Sequence, residues 1–429
     1  EDCRPSAHRS TEVVDRPIIH FPPDPCGPSD SFHPAMTGHS SSTEPLSSDS
    51  EDVRQRSSTS EKTVSGSPRT STIELASDDD VDDDYAEKER QARRTHKRLL
   101  DLKQMQTSQK VDRSTVQLSI LFYIGLFVAA RYSSRPLWSK FYTLSYKYPG
   151  LDSYDIGLDD LYFTIFWIIN LLFLRSFLII YCFKPCAKLL GIKKFKATQR
   201  FIEQTWSMFY YSLSWGFGFY LYSTSDYFFN CHNIYANWPH DKLSAPFKLY
   251  YLVQTASWFQ QFIVIFLEAK RKDHLQMVSH HIITCLLCTG SYCYYFTKIG
   301  HIILLLMDIV DVLLSTAKIL KYCGFQTLCD IMFIVFMVAW IVLRHGVYVY
   351  VLWFSWKEAR NIMDADCSKF ALNEYVKLCY TDFQIDIFLL LLSFLQLIMC
   401  IWMYMILRVA FRVIRGGSAD DVRSDSDEE

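Results

Sequence analysis

The stretch "KRKDHLQMVSHHIITCLLCTGSYCYYFTKIGHIILLLMDIVDVLLSTAKILKYCGF" (Lys270–Phe325) contains two apolar runs joined by the short turn "TKIG". Each run is long enough to form a helix that crosses the roughly 30 Å of bilayer hydrocarbon. The stretch therefore predicts a helical hairpin in a membrane. Two adjacent histidines, His280 and His281, lie within the first run, and Asp308 and Asp311 lie within the second. Because an ionisable side chain in lipid costs several kcal/mol unless it is paired or solvated, these four residues indicate a functional site.

The same apolar pattern recurs through most of the chain. Of its 429 residues, 50% are hydrophobic and 16% aromatic, and the formal net charge is −2. Only helices and closed barrels satisfy the backbone in lipid, and apolar runs of this length without strict alternation are helices. The predicted fold class is all-α, a polytopic membrane helical bundle with disordered cytosolic termini. Eight spans are predicted, at residues 115–131, 161–182, 204–222, 247–267, 275–296, 299–320, 328–354 and 384–407.

Four regions follow from this pattern. Residues 1–113 are predicted to be disordered, first Ser/Asp-rich and then basic, because they cannot bury enough apolar surface to fold; the basic part is helical in composition. Residues 114–160 hold the first span and the following loop, residues 161–410 the main membrane domain, and residues 411–429 an acidic disordered tail. Kinase-type motifs in the tails predict phosphorylation, which would add local charge, at Thr59, Ser418, Ser424 and Ser426.

Lysine and arginine cluster in every second segment between the spans, and this pattern places those segments in the cytosol. Both termini are then cytosolic. The loop after the first span departs from the rule, since it carries Arg131, Arg135, Lys140 and Lys147. If the first span does not cross, the N-terminus lies on the other side and the rest of the orientation is unchanged.

The ionisable residues of the hairpin are predicted to lie at similar depth. At 1.5 Å per residue, His280 lies roughly 9 Å from the cytosolic end of its helix. Asp311 and Asp308 lie roughly 15 and 20 Å from the cytosolic end of theirs. The i, i+3 spacing places both carboxylates on one helix face, and a carboxylate that reaches a histidine fixes its tautomer. Arg344 and His345 in the seventh span are predicted to support this site or to hold helices together.

Three chemistries are compatible with these residues: a proton-coupled transporter with a His/Asp relay, a metal site, and a membrane acyltransferase that acts on lipid. Adjacent histidines point about 100° apart on a helix and are poor joint ligands, so no metal is predicted. Lys270, Arg271 and Lys272 precede the histidines. They would attract an anionic soluble donor, although a basic trio also fits membrane topology alone.

At this point the stretch Lys270–Phe325 resembles the signature of ceramide synthases in the TLC-domain family. The matching elements are Lys-Arg-Lys-Asp, the His-His pair, Ser-Tyr before the turn, Asp-x-x-Asp and the later Ala-Lys. Three upstream pieces are similar to the fungal branch: "YLYSTSDYF" (Tyr220–Phe228), "NWPH" (Asn237–His240) and "WFQQFIVI" (Trp258–Ile265). The resemblance covers about residues 154–415. It departs at "LSTAK" (Leu314–Lys318), where many animal members have a glutamate.

The resemblance implies N-acylation of a sphingoid base by a long- or very-long-chain acyl-CoA in the endoplasmic reticulum, giving ceramide and free CoA. It implies a core of six or so helices around a cavity, acyl-CoA as co-substrate and no cofactor. The expected partners are membrane lipids, a small single-pass accessory subunit and a homo- or heterodimeric paralogue, with no nucleic acid. Fungal members are similar in preferring very long acyl chains and hydroxylated sphingoid bases.

The resemblance also implies roles for the predicted site residues. His280 is the expected acting residue and His281 its support, with Asp308 and Asp311 orienting imidazole and binding the sphingoid ammonium or hydroxyl. Lys270, Arg271 and Lys272 would bind CoA phosphates. A histidine can act as a general base during direct attack or first form an acyl-imidazole, and both routes stay open. Chain length is expected to be selected by the last two spans and the loop of residues 355–382. A proton-coupled lipid transporter and a non-catalytic TLC-domain protein are the alternatives.

Overall fold

The computed structural model describes residues 78–132, 136–267, 273–371 and 380–415. Within these residues, helices account for nearly all of the regular structure, beside one pair of two-residue strands. The predicted all-α class is confirmed. Several predicted sites lie outside the described residues: Thr59, Lys270, Arg271, Lys272, Ser418, Ser424 and Ser426.

The described residues contain ten α-helices. Two π-helical turns, Ile179–Phe183 and Trp340–Val347, join α2 to α3 and α8 to α9, so each of these pairs forms one continuous segment. The helices are α1 (Asp78–Tyr132), α2 (Asp160–Leu178), α3 (Lys184–Leu189), α4 (Phe195–Ser223), α5 (Ala245–Leu267), α6 (His274–Cys293), α7 (Thr297–Tyr322), α8 (Gln326–Ala339), α9 (Tyr348–Ala371) and α10 (Asp382–Ile414).

Each predicted span falls on one of these helical segments, although α1 begins 37 residues before its span and α9 ends 17 residues after its span. By length and apolar composition, four segments of the described chain can cross a membrane: Leu102–Tyr132, Asp160–Leu189, Gln326–Met363 and Asp382–Arg412. The segments α4 to α7 are less apolar because they carry the glutamines, histidines and aspartates of the bundle interior. The chain is a multi-pass membrane protein, and eight crossings stay a prediction.

The first helix begins much earlier than expected. α1 starts at Asp78 and runs without interruption through the acidic block and the basic stretch into the first span. The basic stretch, predicted to be helical in composition, is helical, whereas the acidic block before it was expected to be disordered, and residue 113 is not an element boundary.

The interior of the bundle is built around α7. This helix packs against α4 on one side and α8 on the other, while α5 packs against α2 and α6, and α10 against α6. Val310 on α7 and Tyr251 on α5 are fully buried. Asn170 on α2 accepts a hydrogen bond from the Tyr123 hydroxyl of α1 at 2.9 Å and so links two helices.

The two ends of the bundle differ. At the end where β1 (Ser153–Tyr154) pairs antiparallel with β2 (Leu243–Ser244), which we call the strand end, the loop before α2 is held against α5. The fully buried Lys248 ammonium of α5 holds the loop in place, because it donates to two backbone oxygens of the loop and forms an ion pair with Asp160. We call the opposite end, where α4 and α6 begin and α5 and α7 end, the basic end.

Candidate active site

Two cavities meet at the histidine pair. The first, the polar cavity, has a volume of about 350 Å³ and is lined by both histidines. The second, the apolar cavity, measures about 70 Å³ and extends toward the strand end between α6, α7, α9 and α10. Trp258, His280 and Met307 line both. The His280 ring therefore lies at the boundary between a polar and an apolar compartment.

Aromatic rings hold His280 at this boundary. Its ring centroid lies 5.4 Å from that of Trp258 and 5.2 Å from that of Trp402, both edge-to-face. The His281 ring lies 5.5 Å away at a near-perpendicular angle. Nδ1 of His280 is buried and has no hydrogen-bond partner among the described residues, so no tautomer is imposed on this imidazole.

His281 has a defined tautomer instead. It is 5% exposed, and its Nδ1–H donates to the Met277 carbonyl one helical turn earlier at 2.7 Å. In the neutral ring, Nε2 is then an unprotonated acceptor that can take a proton. At Nδ1 the helix's own backbone holds the His281 ring, and orientation of an imidazole by an aspartate stays a prediction.

The two aspartates of α7 have different surroundings. Asp308 is fully buried and lines neither cavity. Its Oδ2 accepts from the Ser214 hydroxyl at 2.9 Å and from the Gln254 amide at 2.7 Å. These bonds tie α7 to α4 and α5, while Oδ1 is buried without a hydrogen-bond partner among the described residues. A direct role of Asp308 on imidazole or substrate stays a prediction.

Asp311 lines the polar cavity and forms an ion pair with Arg344 at 2.8 Å. Arg344 also donates to the Met307 carbonyl at 2.9 Å and stacks on the Trp340 ring at 4.2 Å. It lies in the π-helical turn between α8 and α9, and such turns are frequent at functional sites. The Asp311 carboxylate is close enough to His281 to interact with it electrostatically, and Arg344 is close enough to His280.

His345 lies on a different side of the same turn, because neighbours on a helix point far apart. It does not line the polar cavity. Its Nε2 accepts from the Trp340 indole at 3.1 Å, and its Nδ1 lies 2.8 Å from the Gln396 amide of α10. Of the two predicted supporting residues, only Arg344 reaches the site, and His345 holds helices together.

The mouth of the polar cavity at the basic end is cationic. Four basic side chains line the cavity there: Arg175, Arg200, Lys318 and Lys321. In the sequence, the basic residues between spans were explained by membrane topology alone. A signal for a basic site was nevertheless present, since Arg200, Lys318 and Lys321 lie within about one or two turns of a helix end at the predicted cytosolic face. Arg200 also pairs with Glu203 at 2.9 Å. The predicted Lys270–Lys272 trio belongs to the undescribed segment between α5 and α6.

This geometry suits an amphipathic substrate. A charged, water-soluble group suits the cationic mouth, the lining of the second cavity suits the first part of an apolar chain, and the bond that joins them lies at the imidazoles. A buried histidine with a free ring nitrogen can act there as a base or a nucleophile. Among the described residues, no group of three or more His, Cys, Asp or Glu side chains is placed to hold a metal ion.

Comparison with known proteins places this site in a family. Residues 200–408 match the TLC domain. The chain is 39% identical over 300 residues to the sphingosine N-acyltransferase-like protein ALT7 of Alternaria alternata, covering 64% of this chain and 69% of that protein. It is 38% identical to the sphingosine N-acyltransferase lag1 of Schizosaccharomyces pombe, covering 69% and 75%. It is 36% identical to the ceramide synthase LAG1 of Saccharomyces cerevisiae, covering 72% and 74%. The expected resemblance is confirmed, and the chain belongs to the fungal ceramide synthases of the TLC-domain family.

Proposed function

We propose that this protein acylates the amine of a sphingoid base with a long- or very-long-chain acyl-CoA, giving ceramide and free CoA. The observation that carries this proposal is the place of His280 between the polar and the apolar cavity. An acyl-CoA bound with its phosphates at the cationic mouth and its chain in the apolar cavity has its thioester at this residue. The names of the relatives agree with the same reaction.

The two histidines have separate roles in this proposal. The thioester carbonyl lies beside His280, which either positions it for direct attack or attacks it to form an acyl-imidazole. His281, with Nε2 free, takes the proton that the amine must lose, a contribution typical of about 10²–10⁴-fold for a general base. Asp311 lines the same cavity and binds the ammonium or hydroxyl groups of the base.

Arg175, Arg200, Lys318 and Lys321 bind the phosphates of the donor, because cations at a cavity mouth raise the local concentration of an anionic ligand. The Lys270–Lys272 trio stays a predicted addition to this set. We further infer the endoplasmic reticulum as the membrane, cytosolic termini, a small accessory subunit and a paralogous partner. The resemblance in sequence supports these assignments.

The test uses the full chain in nanodiscs with acyl-CoA and a sphingoid base, and follows CoA and ceramide by mass spectrometry. Ceramide from the parent and at least 10²-fold less from His280→Ala and His281→Ala are the expected results. Intact-protein mass after acyl-CoA alone separates the two routes. An acyl adduct that His280→Ala abolishes and His281→Ala only slows identifies the covalent one.

The same preparation tests the two alternatives. A proton-coupled transporter would move lipid in response to a pH gradient without acyl-CoA. A non-catalytic TLC-domain protein would form no ceramide even with the accessory subunit added, and loss of both histidines would change nothing measurable.

A further inference from the structure

Two glutamines of the polar cavity make no hydrogen bond within the described part of the chain. Gln204 of α4 is 9% exposed and Gln260 of α5 is 1% exposed, and both line the cavity. Nε2 of Gln260 is buried without a partner. Buried amides are nearly always paired, and an unpaired one costs about 1–3 kcal/mol. Such a cost is tolerated where a ligand supplies the missing partner.

The neighbouring glutamines are used differently. Gln261 accepts a hydrogen bond from the Tyr211 hydroxyl at 2.8 Å. Gln254 accepts from Tyr210 at 3.0 Å and donates to Asp308 at 2.7 Å. Gln261 also lines the polar cavity, but its amide oxygen is used by Tyr211, whereas the amides of Gln204 and Gln260 have no partner among the described residues and are left for the contents of the cavity.

The position of Gln204 shows which part of a ligand it meets. Arg200, Gln204, Ser207 and Tyr211 follow one another at i, i+4, i+7 and i+11, which places them on one face of α4, and all four line the polar cavity. This row extends about 16 Å along the helix. It begins with a cation at the mouth and continues with neutral hydrogen-bonding groups toward the interior.

Gln260 lies deeper. The Tyr211 hydroxyl of α4 reaches Gln261, the neighbour of Gln260 on α5, and Gln204 lies seven residues, about 10 Å, closer to the basic end than Tyr211. Gln260 is two residues from Trp258, whose ring lies 5.4 Å from that of His280. The unpaired amides thus occupy the interval between the cationic mouth and the depth of the imidazoles.

We propose that Gln204 and Gln260 bind the pantetheine arm of CoA; this rests on the proposed function. In CoA, the segment between the phosphates and the thioester is neutral and carries two amides and a hydroxyl. A carboxamide side chain pairs with an amide through both its oxygen and its NH₂ group. A site for an ammonium group would contain a carboxylate, and a site for a phosphate would contain a cation. The two glutamines are neutral, so they suit a neutral amide.

The experiment compares CoA with a ligand that carries the adenosine and two of the three phosphates of CoA but lacks this arm. CoA and adenosine 3′,5′-bisphosphate are titrated calorimetrically into the full chain in nanodiscs. Gln204→Met and Gln260→Met are each expected to weaken CoA about 5- to 10-fold, the worth of one neutral hydrogen bond. Neither substitution should change the affinity for the bisphosphate by more than about 2-fold. Methionine keeps the side-chain volume and removes an amide without a protein partner, so the Tm should not fall.

Gln261→Met is the matched control on the same helix. It removes a partner of Tyr211, so it should lower the Tm and leave the ratio of CoA to bisphosphate affinity as in the parent. An unchanged ratio in both Gln204→Met and Gln260→Met overturns the inference, as does a larger fall in Tm for Gln260→Met than for Gln261→Met. A parent protein that does not bind CoA refutes the proposed function and the inference together.

Discussion

The ion pair between Lys248 and Asp160 gives the sharpest prediction about stability. Lys248 is fully buried, and its three donors meet three oxygens: the carbonyls of Ser145 and Asp155 at 2.9 and 2.7 Å, and Asp160 Oδ1 at 2.8 Å. The other carboxylate oxygen of Asp160 accepts from the Tyr292 hydroxyl at 2.8 Å. The pair therefore joins the loop before α2 to α5 and α6.

Asp160→Asn is the informative substitution. The side-chain oxygen of the new asparagine can keep the hydrogen bond from Tyr292. In that orientation its NH₂ group points at the Lys248 ammonium. A buried cation then loses its counter-charge and faces a donor. Breaking a buried pair by removing one partner costs about 3–5 kcal/mol, because the remaining charge is uncompensated. For a helical bundle of this size that corresponds to a fall in Tm of about 5–10 °C.

Thermal unfolding in nanodiscs, followed by circular dichroism, measures this effect. Asp160→Asn combined with Lys248→Met removes both charges and should be more stable than the sum of the single variants by at least about 1–2 kcal/mol. CoA binding by the folded fraction should stay at the parental level. A Tm of Asp160→Asn within about 2 °C of the parent, or strict additivity in the double variant, would refute the reasoning.

Three further predictions concern other sites. Ala359 is 2% exposed and lines the apolar cavity. Ala359→Phe should therefore raise the ratio of shorter-chain to longer-chain ceramides at least about 10-fold, as measured by mass spectrometry. An unchanged distribution of chain lengths would mean that the acyl chain does not reach α9. Burial lowers the pKa of His240, in the loop before α5, to about 4, against about 6.5 in the unfolded chain. Its contribution to stability is therefore complete above pH 6.5 and is lost as the pH falls toward 4, by about 1.4 kcal/mol at pH 5.5. The fall in Tm between pH 7.5 and 5.5 should be smaller in His240→Gln than in the parent. An identical fall in both proteins would contradict a contribution of His240 to the pH dependence. Asp308→Ala removes two buried hydrogen bonds and should lower the free energy of unfolding by about 2–4 kcal/mol. Asp308→Asn keeps an acceptor oxygen, so its Tm should lie within a few degrees of that of the parent. Equal Tm values for the two variants would speak against a structural role of Asp308.

Much of the architecture follows from hydropathy. The eight predicted spans coincide with helical segments because a run of about 20 apolar residues can satisfy its backbone in lipid only as a helix. The composition of the basic stretch predicted a helix before the first span, but the start of α1 in the acidic block at Asp78 was not expected, since that block has no apolar face to reveal it. The two π-helical turns have no comparable signal in the sequence either, and one of them carries Arg344.

The candidate site was predicted in part. The His280–His281 pair and the cavity-facing Asp311 follow from the cost of ionisable groups in lipid. Asp308 shares that signal but bonds to α4 and α5, because side chains three residues apart on a helix still diverge enough to meet different neighbours. Gln204 and Gln260 carry no charge and so gave no such signal, and only the absence of partners among the described residues distinguishes them from Gln254 and Gln261.

The sequence by itself determined which segments are helices, which of them hold ionisable groups, and the family to which the chain belongs. Those features depend on local composition and on motifs within one stretch. The tertiary structure alone decided that His280 lies between two cavities, that Arg344 and not His345 reaches Asp311, and which amides are left without partners. Helical periodicity tells which residues share a face, but the group opposite that face belongs to another helix, whose distance and rotation are set by the packing of the whole bundle.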